Sequence, residues 1–277
     1  MHPIEIVALI LLALGIAIWL CSLYMIYPGK RREEIDKYKT VKYAHRGLHN
    51  EERAENSLSA FAAAKEMGFG IELDVRLSKD GELMVYHDDN LSRSVGIDGK
   101  FSDFTREELQ KMKLSGTDDT IPTFKEVLDL IDGEIPLLVE IKMASGDVGV
   151  AEKFVEVIDG YKGDFIVESF NPFALRTVKE LRPDILRGIL SMEYMKDPKH
   201  KGKILYRLLQ NLRLNFAMHP DFIAYEKKGY AVPNLRKIRR SFKTPLIAWT
   251  VQSKEEEEFA LSHGFDTVIF EGYIPEK

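Results

Sequence analysis

Glu72 and Asp74 stand two residues apart in the stretch Ile71-Glu72-Leu73-Asp74-Val75, with aliphatic side chains between them. In a β-strand, residues two apart project from one face. The spacing therefore predicts two carboxylates side by side, with the aliphatics on the opposite face. Lys79-Asp80-Gly81 reads as a turn, and Leu83 to Tyr86 as the returning strand. With the turn centred near Lys79 and Asp80, His87 lies across from Glu72, so one hairpin gathers two acids and an imidazole. The competing reading is the solvated face of an edge strand.

Other stretches tilt the balance toward a site. Val41 to Ala44 is a short apolar strand ending in His45-Arg46-Gly47, where glycine allows close backbone approach and the His-Arg pair suits an anion. Pro136 to Lys142 repeats the alternating device, with Glu140 and Lys142 two apart on an otherwise apolar strand. Burying that acid and that lysine is costly without partners, and a metal together with an anionic substrate would supply them. Ser169 and Trp249 likewise fall at or near strand ends.

The elements that position these residues alternate along the chain. A helix capped by Asn56 or Ser57 runs to Met67, and Gly68 ends it. Leu91 to Thr120 is polar and contains one short helix begun by the capping box Thr105-Arg106-Glu107-Glu108, so about 89–120 reads as a lid or insertion. Helices are expected over Phe124 to Ile131, Val148 to Ile158, Phe173 to Leu181, Asn234 to Arg240 and Lys254 to His263. Strands lie between them, and strands alternating with helices imply a parallel sheet. A tight hairpin cannot join parallel neighbours, so Leu83–Tyr86 is set aside as an arm. Eight strands remain, near residues 43, 73, 139, 167, 189, 224, 248 and 269. Eight closes a TIM (β/α)8 barrel, whose active sites sit at the C-terminal strand ends where these residues fall.

The 277-residue chain carries 39 Lys+Arg against 44 Asp+Glu, a net charge of −5, so no basic excess argues for nucleic acid as a partner. Its single cysteine, Cys21, excludes an internal disulfide. From Ile6 to Tyr27 there is no charge, a run long enough to cross a bilayer core of about 30 Å. Trp19, Tyr24 and Tyr27 sit in its second half as interface residues do, and Lys30, Arg31 and Arg32 follow. The positive-inside rule then puts the N-terminus outside and the remainder in the cytoplasm. A secretory signal peptide is the competing reading, but there is no basic n-region and no small-residue cleavage site before Lys30. The expected organisation is a transmembrane anchor over 1–28, a charged helical linker over 29–40 that lifts the domain off the membrane, and a catalytic barrel over 41–277.

With these residues in hand, the chain resembles the glycerophosphodiester phosphodiesterase family. The resemblance rests on His45-Arg46-Gly47, Glu55-Asn56-Ser57, Glu72-Leu73-Asp74-Val75, Lys79-Asp80-Gly81, Val85-Tyr86-His87-Asp88 and Leu91-Ser92-Arg93. It continues through Ile121-Pro122-Thr123, Glu140-Ile141-Lys142, Ser169-Phe170 and Trp249-Thr250-Val251. The segments appear in family order and span about residues 41 to 275. Gln252 stands where the family often has Asn, and Phe270-Glu271 replaces its usual Thr-Asp, which bears on specificity more than on reaction.

The resemblance implies a TIM barrel of the phospholipase-C-like type that hydrolyses glycerophosphodiesters to glycerol 3-phosphate and an alcohol. Glu72, Asp74 and Glu140 would hold one divalent cation, and His45 and His87 would be the acid/base pair. Hard carboxylate oxygens suit Mg²⁺ or Ca²⁺ better than Zn²⁺. Arg46, Lys142, Asn56 and Trp249 are expected on the phosphate and substrate side, with Trp249 equally readable as barrel core. The other histidines His49, His200, His219 and His263 show no ligand spacing and read as surface or core residues. Lys199 to Phe216 reads as an outer helix packing an apolar stripe inward, the alternative being an interfacial helix that helps a lipid leave the membrane. Two further functions stay open. One is a phospholipase D-like activity on lysophospholipids or glycerophosphate polymers; the other is a catalytically silent, membrane-tethered binding module.

Overall fold

The computed structural model describes residues 2–143 and 149–276. Met1, Val148 and Lys277, expected to open the anchor, open a helix and end the barrel, lie outside the described residues. Nine strands form one sheet: β1 (Tyr43–His45), β2 (Gly70–Leu77), β3 (Leu83–Val85), β4 (Leu137–Ile141), β5 (Phe165–Ser169), β6 (Arg187–Ser191), β7 (Phe222–Glu226), β8 (Leu246–Val251) and β9 (Thr267–Phe270). Their order is β1-β9-β8-β7-β6-β5-β4-β2-β3, and a further β1–β2 pairing closes the ring. Every pairing is parallel except β2–β3. The hairpin strand β3 is thus an arm outside an eight-stranded parallel barrel, as the strand count requires.

The helices are α1 (Pro3–Met25), α2 (Arg32–Asp36), α3 (Leu58–Glu66), α4 (Arg106–Leu109), α5 (Phe124–Ile131), α6 (Val150–Ile158), α7 (Pro172–Leu181), α8 (Ile204–Gln210), α9 (Asn215–Met218), α10 (Pro233–Lys237) and α11 (Lys254–Ser262). Their starts follow from local chemistry. Ser57 caps α3, and capping boxes at Thr105 and Thr123 open α4 and α5; losing such a cap costs about 0.5–2 kcal/mol. Phe124, Val127, Leu128 and Ile131 form the buried face of α5. Each such side chain contributes about 1.5–3 kcal/mol on burial.

Period-two alternation sorts the strand residues into two cores. Ala44, Ile71, Leu73, Val75, Val139 and Val167 face outward to the helices. Tyr43, Leu138, Ile166, Phe222, Ile247 and Ile269 fill the interior of the barrel. Glu72, Asp74, Glu140 and Glu168 belong to the inward set, above that apolar plug, and all four are buried. Ala54, Met84, Tyr86, Leu91, Phe101, Leu109, Leu114 and Ile121 make a third cluster, so the excursion after β3 carries its own small core.

Three local expectations change. The β2–β3 register pairs Val75 with Val85 and Leu77 with Leu83, centring the turn on Asp80. Gly81, at φ +81°, donates its N–H to the Ser78 carbonyl and so makes a three-residue turn, which shifts His87 by one place from the position opposite Glu72. The stretch Lys199 to Phe216 is not one helix: it breaks into α8 and α9, with Leu212 at φ +56° between them. Of the expected stripe, Ile204 and Leu205 are exposed, Leu208 and Leu209 half-buried, and Leu212, past the end of α8, is buried in the core, so the stripe packs inward only at its C-terminal end. The segment 29–40 is no free spacer either. Ile35 and Tyr38 pack into the floor of the barrel, and Arg31 donates Nε to buried Asp221 (3.2 Å) and both terminal nitrogens to the Asp184 and Ile185 carbonyls (2.6 Å each).

Helix α1 has no buried residue and is long and apolar enough to cross a membrane. Its C-terminal end meets the barrel, where the Tyr24 ring lies tilted against Phe216 of α9 (5.6 Å, 33°) and Ile26, just past the helix, enters the core.

Candidate active site

Because β2 and β4 pair in parallel with Asp74 opposite Glu140, their inward carboxylates meet at the C-terminal mouth of the barrel. Ligand oxygens from Glu72, Asp74 and Glu140 all lie within 4.8 Å of one another. Two cations face them. Lys142 Nζ is 3.0 Å from Asp74 Oδ1 and 2.7 Å from Glu140 Oε2. Arg46 Nε lies 3.4 Å from Asp74, its NH1 is 2.9 Å from Glu55, and its backbone N–H donates to Glu72 Oε2 at 3.1 Å.

Two residues reach the cluster from left-handed backbone. Arg46 and Asn56 have φ values of +56° and +55°, a conformation disfavoured for side-chain-bearing residues and often found at functional sites. The first aims its amide at Glu72; the second donates Nδ2 to Asp74 Oδ2 at 2.8 Å. Gly47 next to Arg46 has φ +82°, and a Cβ there would lie 2.9 Å from the Ala60 backbone. Its close approach is therefore to α3, which holds the loop in place.

The electrostatics of the cluster are unbalanced. Burial pushes the Glu72 carboxyl well above its usual range, and the charges of Asp74 and Glu140 push it further. Burial lifts Glu140 to about 7 against the pull of Lys142. Asp74 moves the other way: although buried, it is held well down by Lys142 and Arg46. Lys142 stays charged despite burial because Asp74 and Glu140 stabilise it. Two cations thus fail to satisfy three carboxylates, and hard, buried, convergent oxygens short of positive charge are a donor set that fits a divalent cation.

The imidazoles flank this cluster, each held at Nδ1 by a carboxylate. His45 Nδ1 meets Glu271 Oε2 at 2.7 Å, leaving Nε2 3.9 Å from Glu72. His87 Nδ1 meets Asp88 Oδ1 at 2.6 Å, and Asp88 in turn accepts from Arg93 at 2.6 Å. Burial lowers the basicity of His87, with Asp74 as its main opposing charge. The bond to His45 pulls Glu271 down to about 2. Trp249 packs edge-on against Phe170 (5.4 Å, 85°), and its buried indole N–H has no hydrogen-bond partner among the described residues.

The nine residues given site roles from the sequence sit around this mouth. Four others join them to which the sequence alone assigns no site role. Glu271 is the partner of His45; it follows directly on β9, and the rule that strand ends carry chemistry could have found it. His49, read as a bystander, lies 3.7 Å from that same carboxylate. Glu55 bridges Arg46 and Arg93. Glu168, paired in register with Glu140, is raised by burial and by Glu72 and Glu140, and its Oε2 has no partner among the described residues.

Comparison with known proteins bears on the fold and the family. A glycerophosphodiester phosphodiesterase of Caldanaerobacter subterraneus subsp. tengcongensis is 35% identical over 246 residues, covering 83% of this chain and 93% of its own. A phosphodiesterase of Oleispira antarctica, solved in complex with the product sn-glycerol-3-phosphate, superposes with a TM-score of 0.69 at 26% identity, over 85% of this chain and 94% of that one. A glycerophosphodiester phosphodiesterase from Thermotoga maritima gives a TM-score of 0.63 at 28% identity, over 83% and 94%. Residues 45–272 match the glycerophosphoryl diester phosphodiesterase family, and the chain belongs to it.

Proposed function

We propose that the protein is a divalent-cation-dependent phosphodiesterase that hydrolyses glycerophosphodiesters to glycerol 3-phosphate and an alcohol. The observation that carries this is the buried, charge-deficient triad Glu72, Asp74 and Glu140, with an imidazole on either side. These three carboxylates would hold Mg²⁺ or Ca²⁺. When bound, the cation neutralises a non-bridging phosphate oxygen and the charge that grows on it.

The remaining residues divide the work. Arg46 and Lys142 present cationic donors to the phosphate, Arg46 in a fork suited to a bidentate grip. Asn56 keeps Asp74 oriented beside the phosphate, and Trp249 walls the glycerol side, where its free N–H can meet a substrate oxygen. Burial keeps the His87 ring neutral near neutral pH, which suits it to take a proton from the nucleophile. His45, fixed at Nδ1 by Glu271, then returns a proton to the departing alkoxide through Nε2.

The domain is held at a membrane by residues 1–28, with the barrel on the cytoplasmic side as Lys30, Arg31 and Arg32 indicate. The test is release of glycerol 3-phosphate from glycerophosphocholine and glycerophosphoethanolamine by the full chain, with and without EDTA. We expect release that EDTA abolishes and added Mg²⁺ or Ca²⁺ restores. Hydrolysis of neither substrate under any condition would overturn the assignment.

A further inference from the structure

The chain enters the barrel at its floor, and the residues around that entry carry unbalanced positive charge. Tyr24 lies against Phe216 (5.6 Å), and Tyr27 sits edge-on to Phe242 (5.3 Å) and to His219 (6.3 Å). Two residues further on, the Gly29 N–H donates to the Pro220 carbonyl at 2.7 Å. Tyr24 and Tyr27 close the apolar run, and aromatic residues in that position mark the depth of a bilayer interface. With α1 in a bilayer, the loop between α9 and β7 therefore lies at head-group level.

That loop and the end of α7 bring cations together. Lys179, in the last turn of α7, donates from Nζ to His219 Nδ1 at 2.8 Å. An ammonium has protons only to give, so this bond fixes His219 as the neutral tautomer with its hydrogen on Nε2. Burial and Arg187 lower the basicity of Lys179, and burial, Lys179 and Arg187 lower that of His219. Arg187 itself donates to the Met218 and Ile185 carbonyls, 2.9 Å each, rather than to an acid. The carboxylate in their midst, Asp221, is buried and already accepts from Arg31 and from the Arg187 backbone N–H. Lys30 is exposed beside them. Among the described residues, Lys30, Lys179 and His219 form no ion pair with a carboxylate; Asp221 belongs to Arg31.

We propose that Lys30, Lys179 and His219 form a head-group site for a net-anionic phospholipid, which seats the barrel floor on the bilayer. This rests on the membrane anchoring proposed above. The lipid phosphate accepts from the two ammonium groups and from the His219 Nε2–H. A zwitterionic lipid fits less well, because its own quaternary ammonium is brought among cations. Each basic side chain near the surface favours an anionic lipid by roughly fivefold, so Lys30 and Lys179 together give roughly thirtyfold. The site lies at the opposite end of the barrel from the carboxylate cluster, and the bound lipid is held there without being cleaved.

The experiment places the full chain in phosphatidylcholine nanodiscs, with EDTA present so that the carboxylate cluster stays idle. Lipid with brominated acyl chains is titrated in, either as phosphatidylglycerol or as phosphatidylcholine, and quenching of Trp19 on α1 is read. Trp249, the chain's other tryptophan, sits at the barrel mouth, out of reach of the bromines. Half-maximal quenching should come at a mole fraction roughly thirtyfold lower for phosphatidylglycerol than for phosphatidylcholine. Lys30→Gln and Lys179→Gln should each shrink that preference about fivefold, whereas Lys254→Gln, which removes a charge from the mouth end, should leave it unmoved. The same midpoint for both lipids overturns the site and leaves the anchoring standing. So does a preference that Lys30→Gln and Lys179→Gln both retain, or one that Lys254→Gln lowers equally. Quenching by neither lipid takes Trp19 out of the bilayer and overturns both readings.

Discussion

Replacing Lys142 by Met tests whether the triad is built around a divalent cation. In the wild-type chain the ammonium sits 3.0 Å from Asp74 and 2.7 Å from Glu140, both buried. Removing one partner of a buried ion pair costs about 3–5 kcal/mol, because the other charge is left uncompensated. For a domain of this size each kcal/mol moves the melting temperature by about 2–4 °C, so Lys142→Met should lower it by roughly 6–20 °C in EDTA. A divalent cation at a hundred times its Kd adds about 2.7 kcal/mol to a protein that binds it only when folded. In the variant the ion also supplies the charge that Lys142 supplied, so the cation-induced rise in melting temperature should be larger than in wild type. Thermal unfolding of both proteins with EDTA, Mg²⁺ and Ca²⁺ checks this. A drop in melting temperature that is the same with and without cation would show that the carboxylates do not converge on an ion, and the reasoning would fail.

Cation binding should also release a proton. Glu140, lifted to about 7, is protonated in the cation-free folded protein over a range where the unfolded chain, titrating near about 4.3, is not. This group's contribution to cation-free stability therefore falls as pH rises from about 4.5 to about 7. Cation affinity should rise at least about tenfold between pH 6 and pH 8 as the proton on Glu140 is lost, and further with the one that burial favours on Glu72; calorimetry in two buffers of different ionisation enthalpy gives the affinity and the proton count, and a flat affinity would count against the assignment. Glu271→Gln should lower kcat by about ten- to a hundredfold, a part of the 10²–10⁴ that a general acid supplies, because His45 loses the negative, acceptor-only partner that fixes its ring and tautomer. The decisive readout is a changed pH–rate profile with unchanged cation affinity. Arg31→Ala, which strips the clamp from buried Asp221, should cost about 1–3 kcal/mol in denaturant unfolding with KM untouched.

The legible part of this fold is the part written in periods and strand ends. Eight short apolar runs, five of them carrying a chemically distinctive residue at or near the end, place His45, Glu72, Asp74, Glu140 and Trp249 on one rim, because parallel strands in a barrel share a direction. The hairpin is legible as a hairpin but not in register, since the extra residue rests on the positive φ of Gly81. The pairings of Glu271 with His45 and of Glu55 with Arg93 join residues distant along the chain, and that of Glu55 with Arg46 spans an irregular loop, so no periodic pattern carries them. Segment 29–40 misleads for the opposite reason. Its dense charge advertises solvent, while two apolar residues, Ile35 and Tyr38, decide where it goes.

That short segment would have a mechanical meaning in the membrane-held arrangement proposed above. With Ile35 and Tyr38 set into the barrel floor and Arg31 latched to Asp221, the polypeptide leading from α1 into the barrel has no slack. A barrel held this way would not swing on a leash. Its tether enters at the floor, the end opposite the catalytic mouth, so the opening would keep a fixed heading away from the point of attachment and meet substrate from the aqueous side.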